Sequence, residues 1–320
     1  MTLIAAGDDS GRRLDRVLRK ALPALPLSAL YRLLRTGSVL VDGKPGAGAD
    51  RVRTGSVILI PEIPAGREVR ETGGMRSVPG KALLPLDILF EGAGLLVVNK
   101  PAGLAVHGPD RDNLNVRVQS YLEGKIPFSL SFRPGPLHRL DKPTSGIIAF
   151  STTLEGAKQF SAVLEAGTLV KTYVAVLEGT LKQAAAWEDS LFRDKKLRKS
   201  FAKQGEKEAI TRIRPAAWSK SRNMTLAVVT PETGRTHQIR SQAAHHGFPL
   251  WGDRKYGSRQ KRGFFLHALS LEFPENPAGF PRFLTAPVPE PFSAFLGENF
   301  DREVFKLFQD EEQAVRRGPI

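Results

Sequence analysis

The sequence predicts an α+β fold with a mainly antiparallel sheet at its core. Apolar runs of strand length recur between residues 86 and 230, and only a few helical patterns separate them. The run at 147–150 is continuously apolar and the run at 168–177 is rich in β-branched residues, which indicates buried strands. Neither a G-x-G-x-x-G pattern nor a P-loop is present. This succession of strands favours an α+β arrangement over a doubly wound parallel sheet.

The composition favours a polyanionic partner and excludes thiol chemistry. The 320 residues include 47 Lys and Arg against 33 Asp and Glu, a formal net charge of +14. Such an excess is typical of proteins that bind nucleic acid. The absence of cysteine excludes disulfides, thiolate nucleophiles and Cys-ligated metals. The six histidines are scattered rather than spaced as ligand pairs, so we expect no metal site.

The start of the chain predicts neither a secretory signal nor a membrane anchor. Asp8 and Asp9 interrupt the short apolar start, and no apolar run is long enough to cross a bilayer. We therefore expect a cytoplasmic protein without a membrane partner. We expect no cofactor, because no nucleotide-binding motif is present. We also expect the protein to act as a monomer.

Changes in composition divide the chain into four parts. Residues 1–62 form a small first domain, 63–83 a linker rich in proline and glycine, 84–300 a larger domain, and 301–320 a polar tail. A linker of this kind is expected to tether the first domain and so raise the effective concentration of the second at a shared partner.

The first domain begins with two predicted helices. Leu14, Val17 and Leu18 lie on one apolar stripe of the first helix, whose other faces are basic. The second is expected to begin at Ser28 as its N-cap and to stop at Gly37. Short strands are predicted to follow.

These motifs resemble the S4 RNA-binding domain. The matching segments are residues 13–15, 31–37 and 39–45, the last around an Asp-Gly hairpin turn. The resemblance covers about the first sixty residues and implies a compact αα-β unit. It also implies that basic side chains face RNA phosphates, namely Arg12, Arg16, Arg32, Arg35 and Lys44. For any single one of them, an ordinary solvated basic face is the alternative.

The stretch at 136–146 places a carboxylate between cations at the start of a buried strand. Asp141 follows Arg139 and precedes Lys142. Alone, this pattern favours a hydrogen-bonded turn with solvated partners over an active site. Two further islands, at 171–173 and 234–240, supply a phenol and fixed cations. We therefore expect the three islands to form one site.

A single carboxylate beside a guanidinium suits nucleophilic attack, because arginine favours the ionised form and orients it. Hydrolysis of a glycosidic bond usually requires two carboxylates that flank the bond. Glu232 and Asp253 lie in differently patterned segments, and the sequence offers no reason to pair either with Asp141.

Taken together, residues 86–289 resemble the RluA-type pseudouridine synthases. The matching motifs are Asn99-Lys100-Pro101-Ala102-Gly103, His138-Arg139-Leu140-Asp141 with Thr144-Ser145-Gly146, Lys171-Thr172-Tyr173, residues 234–240, 252–257 and 266–268. The resemblance implies the pseudouridine synthase fold, with a mixed, mainly antiparallel central sheet. An N-terminal S4 domain is typical of the branch that acts on the large ribosomal subunit. Pro143 and the pair Ser241-Gln242 depart from the usual pattern, which affects the expected substrate preference rather than the reaction.

The resemblance also implies a role for each matched residue. Asp141 is the nucleophile, attacking either C6 of uracil or C1′ of the ribose, and Arg240 pairs with it. Tyr173, which its strand pattern alone predicts as a core aromatic, stacks on the base and is a candidate for removing the C5 proton. Arg139 fills the gap left by a flipped uridine. The remaining residues hold phosphates or the loop itself: Arg235, His138 and Lys142.

The expected function is isomerisation of uridines in large-subunit ribosomal RNA. A tRNA-directed member of the same family is one alternative, because target choice depends on loops that the sequence does not explain. A non-catalytic RNA-binding or ribosome-assembly factor is another, although the intact Asp141, Tyr173 and Arg240 count against it.

Overall fold

The structure is a computed structural model that describes residues 1–61, 85–110, 112–194, 196–197, 199–202, 207–219, 221–274 and 279–299. The predicted linker at 63–83 and the tail at 301–320 lie outside these residues. The strands are β1 Thr2–Ile4, β2 Leu40–Val41, β3 Lys44–Pro45, β4 Val57–Leu59, β5 Ile88–Gly92, β6 Leu95–Lys100, β7 Gly135–Pro136, β8 Ser145–Ser151, β9 Val170–Glu178, β10 Ala185–Asp194, β11 Lys199–Ala202, β12 Lys207–Ser219, β13 Met224–Pro231, β14 Leu266–Glu272 and β15 Phe283–Thr285. The α-helices are α1 Leu14–Ala21, α2 Leu27–Arg35, α3 Leu114–Leu122, α4 Leu154–Glu165, α5 Gln238–His245 and α6 Glu290–Asn299.

The first domain packs α1 and α2 beside a four-stranded sheet of order β1-β4-β2-β3. Leu14, Val17 and Leu18 are fully buried in its core, as their spacing predicts. The Asp-Gly turn between β2 and β3 is also confirmed, since Asp42 and Gly43 both have positive φ. The predicted N-cap at Ser28 is wrong. The helix begins one residue earlier, at Leu27, because Pro26 takes the extended N-cap position and Ser28 lies inside the first turn.

The second domain is built on one large mixed sheet, which confirms the predicted fold class. Its main path runs β11-β10-β12-β13-β9-β14-β8-β6-β5, with β15 beside β14 and β7 beside β8. Among the pairs in the described residues, β14 and β8 run parallel and the others are antiparallel. Fully buried Ile147–Phe150 in β8 and Val174–Leu177 in β9 place the core along the centre of this sheet.

Between about residues 187 and 215 the sequence has only weak periodicity, and in this part of the chain the structure has the long antiparallel strands β10 and β12, with β11 beside β10. Alternation of buried and exposed residues along β12 means that one face is packed and the other faces solvent. This half-exposed pattern with many basic residues gives a weak strand signal, which is why sequence periodicity did not resolve it.

Asp9 joins the two domains directly. Its fully buried carboxylate accepts hydrogen bonds from Ser129 Oγ, Leu130 N, Ser131 N and Ser131 Oγ, all in the larger domain. Burial by itself would raise the pKa of Asp9, but these hydrogen bonds outweigh it and hold the pKa below its usual value. The expected tether is therefore supplemented by a polar contact that fixes one domain against the other.

Neighbouring contacts extend the same interface. Leu130 is buried in the hydrophobic cluster of the first domain. Arg12 Nη1 donates to Ser131 O and Ser131 Oγ at 3.0 Å. Asp8 Oδ1 accepts from Leu154 N at the start of α4. The first domain is therefore attached to the loop before β7 and to the residues that follow β8.

No helix in the described ranges combines the length and the apolar character needed to cross a membrane.

Asp9→Ala tests this interface. Removing the carboxylate leaves buried N–H and O–H donors without an acceptor, so we expect the free energy of unfolding to fall by about 2–4 kcal/mol. Urea denaturation at neutral pH measures the loss. Glu155→Ala, which removes an exposed carboxylate paired only weakly with Lys158, serves as the control and should change it by less than about 0.5 kcal/mol. Equal stability of the two variants would contradict a structural role for Asp9.

Candidate active site

A side-chain hydrogen bond of His138 fixes the place where the loop that carries Asp141 leaves the sheet. β7 pairs with β8, and Leu137 N continues the ladder by donating to Ala149 O at 2.9 Å. His138 follows, and its Nε2 accepts from Ala149 N at 3.0 Å. The chain then turns out over the sheet and returns into β8 at Ser145. Gly146 has a φ of 112°, and a Cβ there would lie 2.1 Å from Ala268 O. Glycine is therefore required where the loop rejoins the sheet beside β14.

Lys100 anchors the other side of this loop. Its side chain is fully buried at the end of β6, and its Nζ donates to Pro101 O, Leu104 O and Lys142 O at 2.8–3.2 Å. Burial lowers the pKa of Lys100 to about 7, and the negative charge of Asp141 offsets part of that effect. The Lys100 side chain thus connects the loop after β6 to the turn that follows Asp141.

Arg240 is held between two carboxylates. Its Nε and Nη2 donate to the two oxygens of Asp253 at 2.7 and 2.8 Å, and its Nη1 donates to Asp141 Oδ2 at 2.9 Å. The guanidinium carbon also lies 5.1 Å from the ring centre of Tyr256 and 5.3 Å from that of Phe264. Burial acts to lower the pKa of Arg240, but the bonds to Asp253 and Asp141 raise it overall. Arg240 is therefore a permanent cation with a fixed orientation.

Buried amides fix the helix from which Arg240 projects. Gln238 Oε1 accepts from Thr233 Oγ1 and Arg235 N, and its Nε2 donates to Ile210 O, so the turn before α5 is fastened to β12. Gln242, at one of the positions that depart from the family pattern, is fully buried. Its Oε1 accepts from Thr211 Oγ1, and its Nε2 lies within hydrogen-bond distance of Trp187 O. Gln242 therefore anchors α5 to the neighbouring strands β10 and β12 through polar contacts.

Residues around the pair of Asp141 and Arg240 line a cavity of about 320 Å³. Asp141 and Arg240 lie in it together with Tyr173 and Lys171 of β9. Burial, followed by the nearby charge of Asp141, raises the pKa of Tyr173, so its phenol stays protonated at neutral pH. Burial also lowers the pKa of Lys171. The cavity thus combines a carboxylate, an aromatic ring and cations around a space large enough for a flat ring.

The structure brings three other predicted residues of this domain to the same cavity, whereas Lys142 lies outside its lining. Arg139 and Arg235 line it with exposed side chains, and Arg235 Nε donates to Glu208 O. His138 also lines it, and its ring lies parallel to Phe160 with centroids 6.0 Å apart. Lys142 is exposed, with its Nζ 3.5 Å from Asp110. His138 is thus positioned to hold the loop, the second of its two expected roles.

The basic side chains of the first domain also differ among themselves. Arg16, Arg32, Arg35 and Lys44 are exposed, as a phosphate-binding role requires. Arg12 is instead half-buried and bonded to Ser131 at the domain interface. No finding assigns RNA contacts to any of these five residues.

Sequence reasoning missed two residues of the site. Asp253 was set aside, yet it is 2% exposed and forms both of the bidentate bonds to Arg240. Lys100 was recognised only as part of a motif. The matched motif at 252–257 contains Asp253 next to a glycine and is the available sequence signal for it, but its pairing with Arg240 depends on the fold, which places α5 beside it.

Comparisons with known proteins show the family of this chain. Residues 94–245 match the family model for RNA pseudouridylate synthase. "Ribosomal large subunit pseudouridine synthase D" of Xylella fastidiosa is 32% identical, over 95% of this chain and 93% of that protein. "Ribosomal large subunit pseudouridine synthase C" of Haemophilus influenzae is 31% identical, over 86% of this chain and 87% of that protein.

Solved structures support the fold. Human RNA pseudouridylate synthase domain containing 1 has a TM-score of 0.55 and 21% identity, covering 75% of this chain and 98% of its own. Human RNA pseudouridylate synthase domain containing 4 has a TM-score of 0.53 and 22% identity, covering 65% and 91%. The family match and the two relatives make this chain an RNA pseudouridine synthase. The chain belongs to the RluA family of these enzymes, in its large-subunit branch.

Three histidines give the enzyme a specific acid sensitivity. Burial is the main cause that lowers the pKa of His138 to about 3 and that of His237 and His267 to about 4, from an ordinary 6.5. Below about pH 6 they are protonated in the unfolded chain and neutral in the folded one, so unfolding takes up protons. Stability therefore falls as the pH decreases.

We expect the free energy of unfolding to fall by up to about 4 kcal/mol per pH unit between about pH 5.5 and 4.5, measured by urea denaturation. His267→Gln removes one titrating group and should reduce this slope by about a third, whatever its effect on absolute stability. His107→Gln, at an exposed position, is the control and should leave the slope unchanged. An unchanged slope in His267→Gln would contradict the assignment of a neutral buried imidazole.

Proposed function

We propose that this enzyme converts specific uridines of large-subunit ribosomal RNA to pseudouridine. The observation that carries the reaction is the fixed pairing of Asp141 with Arg240, at 2.9 Å, in a cavity that also holds Tyr173. The relatives in Xylella fastidiosa and Haemophilus influenzae, both named as ribosomal large subunit pseudouridine synthases, support the choice of substrate. We also propose that the enzyme acts in the cytoplasm, as a monomer and without a cofactor.

In the proposed reaction Asp141 is the nucleophile. Attack on C1′ would form a bond from C1′ to Asp141 and break the bond from C1′ to N1, whose electron pair leaves with the uracil ring; the bond to Asp141 breaks when C5 attacks C1′. Addition to C6 would instead form a bond from C6 to Asp141 and move the C5=C6 electron pair toward C5. The bond from C1′ to N1 would break afterwards, and Asp141 would be released from C6, with the bonding pair, once C5 has joined C1′. Either route frees the base to rotate and rejoin C1′ through C5. The C5 proton is then lost, and N1 gains a proton, so the product is an isomer of the substrate. Arg240 keeps the carboxylate ionised and fixes its position, which removes the cost of orienting it during reaction.

The target base must leave its helix to reach Asp141. Tyr173 would stack on the flipped base, and the raised pKa of its phenol favours this role over removal of the C5 proton. Arg139, exposed at the cavity, would occupy the space that the uridine leaves and offset part of an unstacking cost of a few kcal/mol. The exposed Arg235 and Lys142 are proposed to bind flanking phosphates, and His138 to hold the loop.

The first domain is proposed to be an S4-like RNA-binding domain. Its two short helices precede a small sheet, and Arg16, Arg32, Arg35 and Lys44 present exposed positive charge. Phosphate contacts of this kind add affinity that depends on salt without choosing the sequence. Because Asp9 fixes this domain to the larger one, its RNA contacts would lie at a set distance from the reacting uridine.

Asp141→Ala tests the reaction. We expect the single-turnover rate of pseudouridine formation on saturating ribosomal RNA to fall by at least about 10⁴-fold, because the nucleophile is gone. RNA affinity should stay within about threefold, since many Lys and Arg side chains contribute to it. Asp110→Ala, which removes an exposed carboxylate near Lys142, is the control and should retain the rate.

Pseudouridine levels unchanged by Asp141→Ala would favour a non-catalytic assembly factor instead. The choice of substrate is tested separately by mapping pseudouridines across ribosomal and transfer RNA from cells with and without the gene. Loss of sites only in 23S RNA is expected. Loss only in transfer RNA would contradict the ribosomal substrate while leaving the reaction intact.

A further inference from the structure

His237, immediately before α5, has a backbone conformation that residues other than glycine rarely adopt. Its φ and ψ are 56° and 25°, in the left-handed region. That conformation costs a non-glycine residue about 1 kcal/mol or more and persists where the surroundings require it, often at functional sites. The side chain is 11% exposed and lies among the residues that line the cavity.

Two neighbours determine which nitrogen of the imidazole carries the proton. Nδ1 lies 2.8 Å from Tyr256 Oη and 3.5 Å from Arg193 Nη1. Arginine can only donate, and the Tyr256 hydroxyl, which already accepts from Ser200 N at 2.8 Å, is free to donate to Nδ1. Nδ1 is therefore the acceptor. Burial lowers the pKa of His237 to about 4, so the ring is neutral at pH 7 and its single proton lies on Nε2.

The protonated nitrogen faces the nucleophile. His237 Nε2 lies 3.7 Å from Asp141 Oδ1, while Arg240 binds the other oxygen, Oδ2. At that distance no hydrogen bond is formed, and among the described residues Oδ1 has no other donor within hydrogen-bond distance. The two oxygens are thus unequal: Oδ2 is fixed by a cation, and Oδ1 is available to attack with an N–H group beside it.

We propose that His237 is a further catalytic residue, whose Nε2–H donates to Asp141 Oδ1 as that oxygen leaves the nucleoside adduct. This inference rests on the proposed isomerase function. When Oδ1 attacks, it shares an electron pair with C1′ or C6. When the adduct breaks, the bonding pair returns to Oδ1, and negative charge develops there on either route. A fixed neutral donor stabilises that charge without giving up its proton, so the histidine is unchanged at the end of each turnover.

The left-handed backbone at His237 permits variants that test the imidazole alone. His237→Gly removes the imidazole and suits the observed φ, so it separates the ring from the backbone geometry. His237→Gln restores an N–H donor of similar reach. We expect the Gly variant to lose about a hundredfold in single-turnover rate on saturating RNA while its Kd stays within about threefold, and we expect the Gln variant to recover at least about tenfold of that loss.

Tyr256→Phe is a second variant, useful if the Gly variant folds poorly. It removes the hydroxyl that donates to Nδ1 and should lower the rate by about three- to tenfold with unchanged Kd. A Gly variant within threefold of wild type, a Gln variant as slow as the Gly variant, or a loss confined to Kd would overturn the proposal.

A measurement without substrate distinguishes this proposal from the proposed function. The ¹⁵N chemical shifts of His237 at pH 7 should identify a neutral ring with protonated Nε2 and unprotonated Nδ1. The opposite tautomer, or a charged ring, would overturn the role of His237 whatever the enzyme modifies. Inactivity of wild-type enzyme on ribosomal RNA with the expected tautomer would instead count against the substrate.

Discussion

The buried guanidinium of Arg240 is the constraint on which the site depends. A cation that is 6% exposed requires partners, and Asp253 and Asp141 provide them from two different segments. The bidentate bond to Asp253 sets the plane and direction of the guanidinium, and this orientation directs Nη1 to Asp141. Removing the arginine alone would leave the two carboxylates without their shared cation, a change of a kind that typically costs about 3–5 kcal/mol. The same geometry therefore serves both the fold and the chemistry.

Rigid elements deliver each member of this cluster to its place. Gln238 and Gln242 fasten α5 to the neighbouring strands, so Arg240 projects from a fixed helix. Lys100 and His138 hold the loop of Asp141 from opposite sides. Side chains that project from firmly packed elements keep their positions to within fractions of an ångström. The proposed reaction can therefore depend on the positions and charges of these side chains.

Much of this arrangement could be predicted from the sequence, and the failures have a physical cause. Local patterns located β8, β9 and the first helix of the first domain, because burial leaves apolar signals within a few residues. Asp141 with Arg240 followed from the resemblance. The pairing of Arg240 with Asp253 did not, since it depends on tertiary contact between segments whose local patterns are unrelated. The Asp9 interface escaped prediction for the same reason: a buried carboxylate and a solvated one look alike in sequence.

The central claim is that Arg240, fixed by Asp253, presents Asp141 for reaction. The most direct measurement is the single-turnover rate of pseudouridine formation by the double variant Arg240→Gln/Asp253→Asn on saturating RNA. This variant removes one positive and one negative charge, so the cluster keeps its net charge and the protein should remain folded. The account predicts a rate at least about a thousandfold below wild type, with RNA affinity largely unchanged. A folded double variant whose rate lies within tenfold of wild type would contradict it.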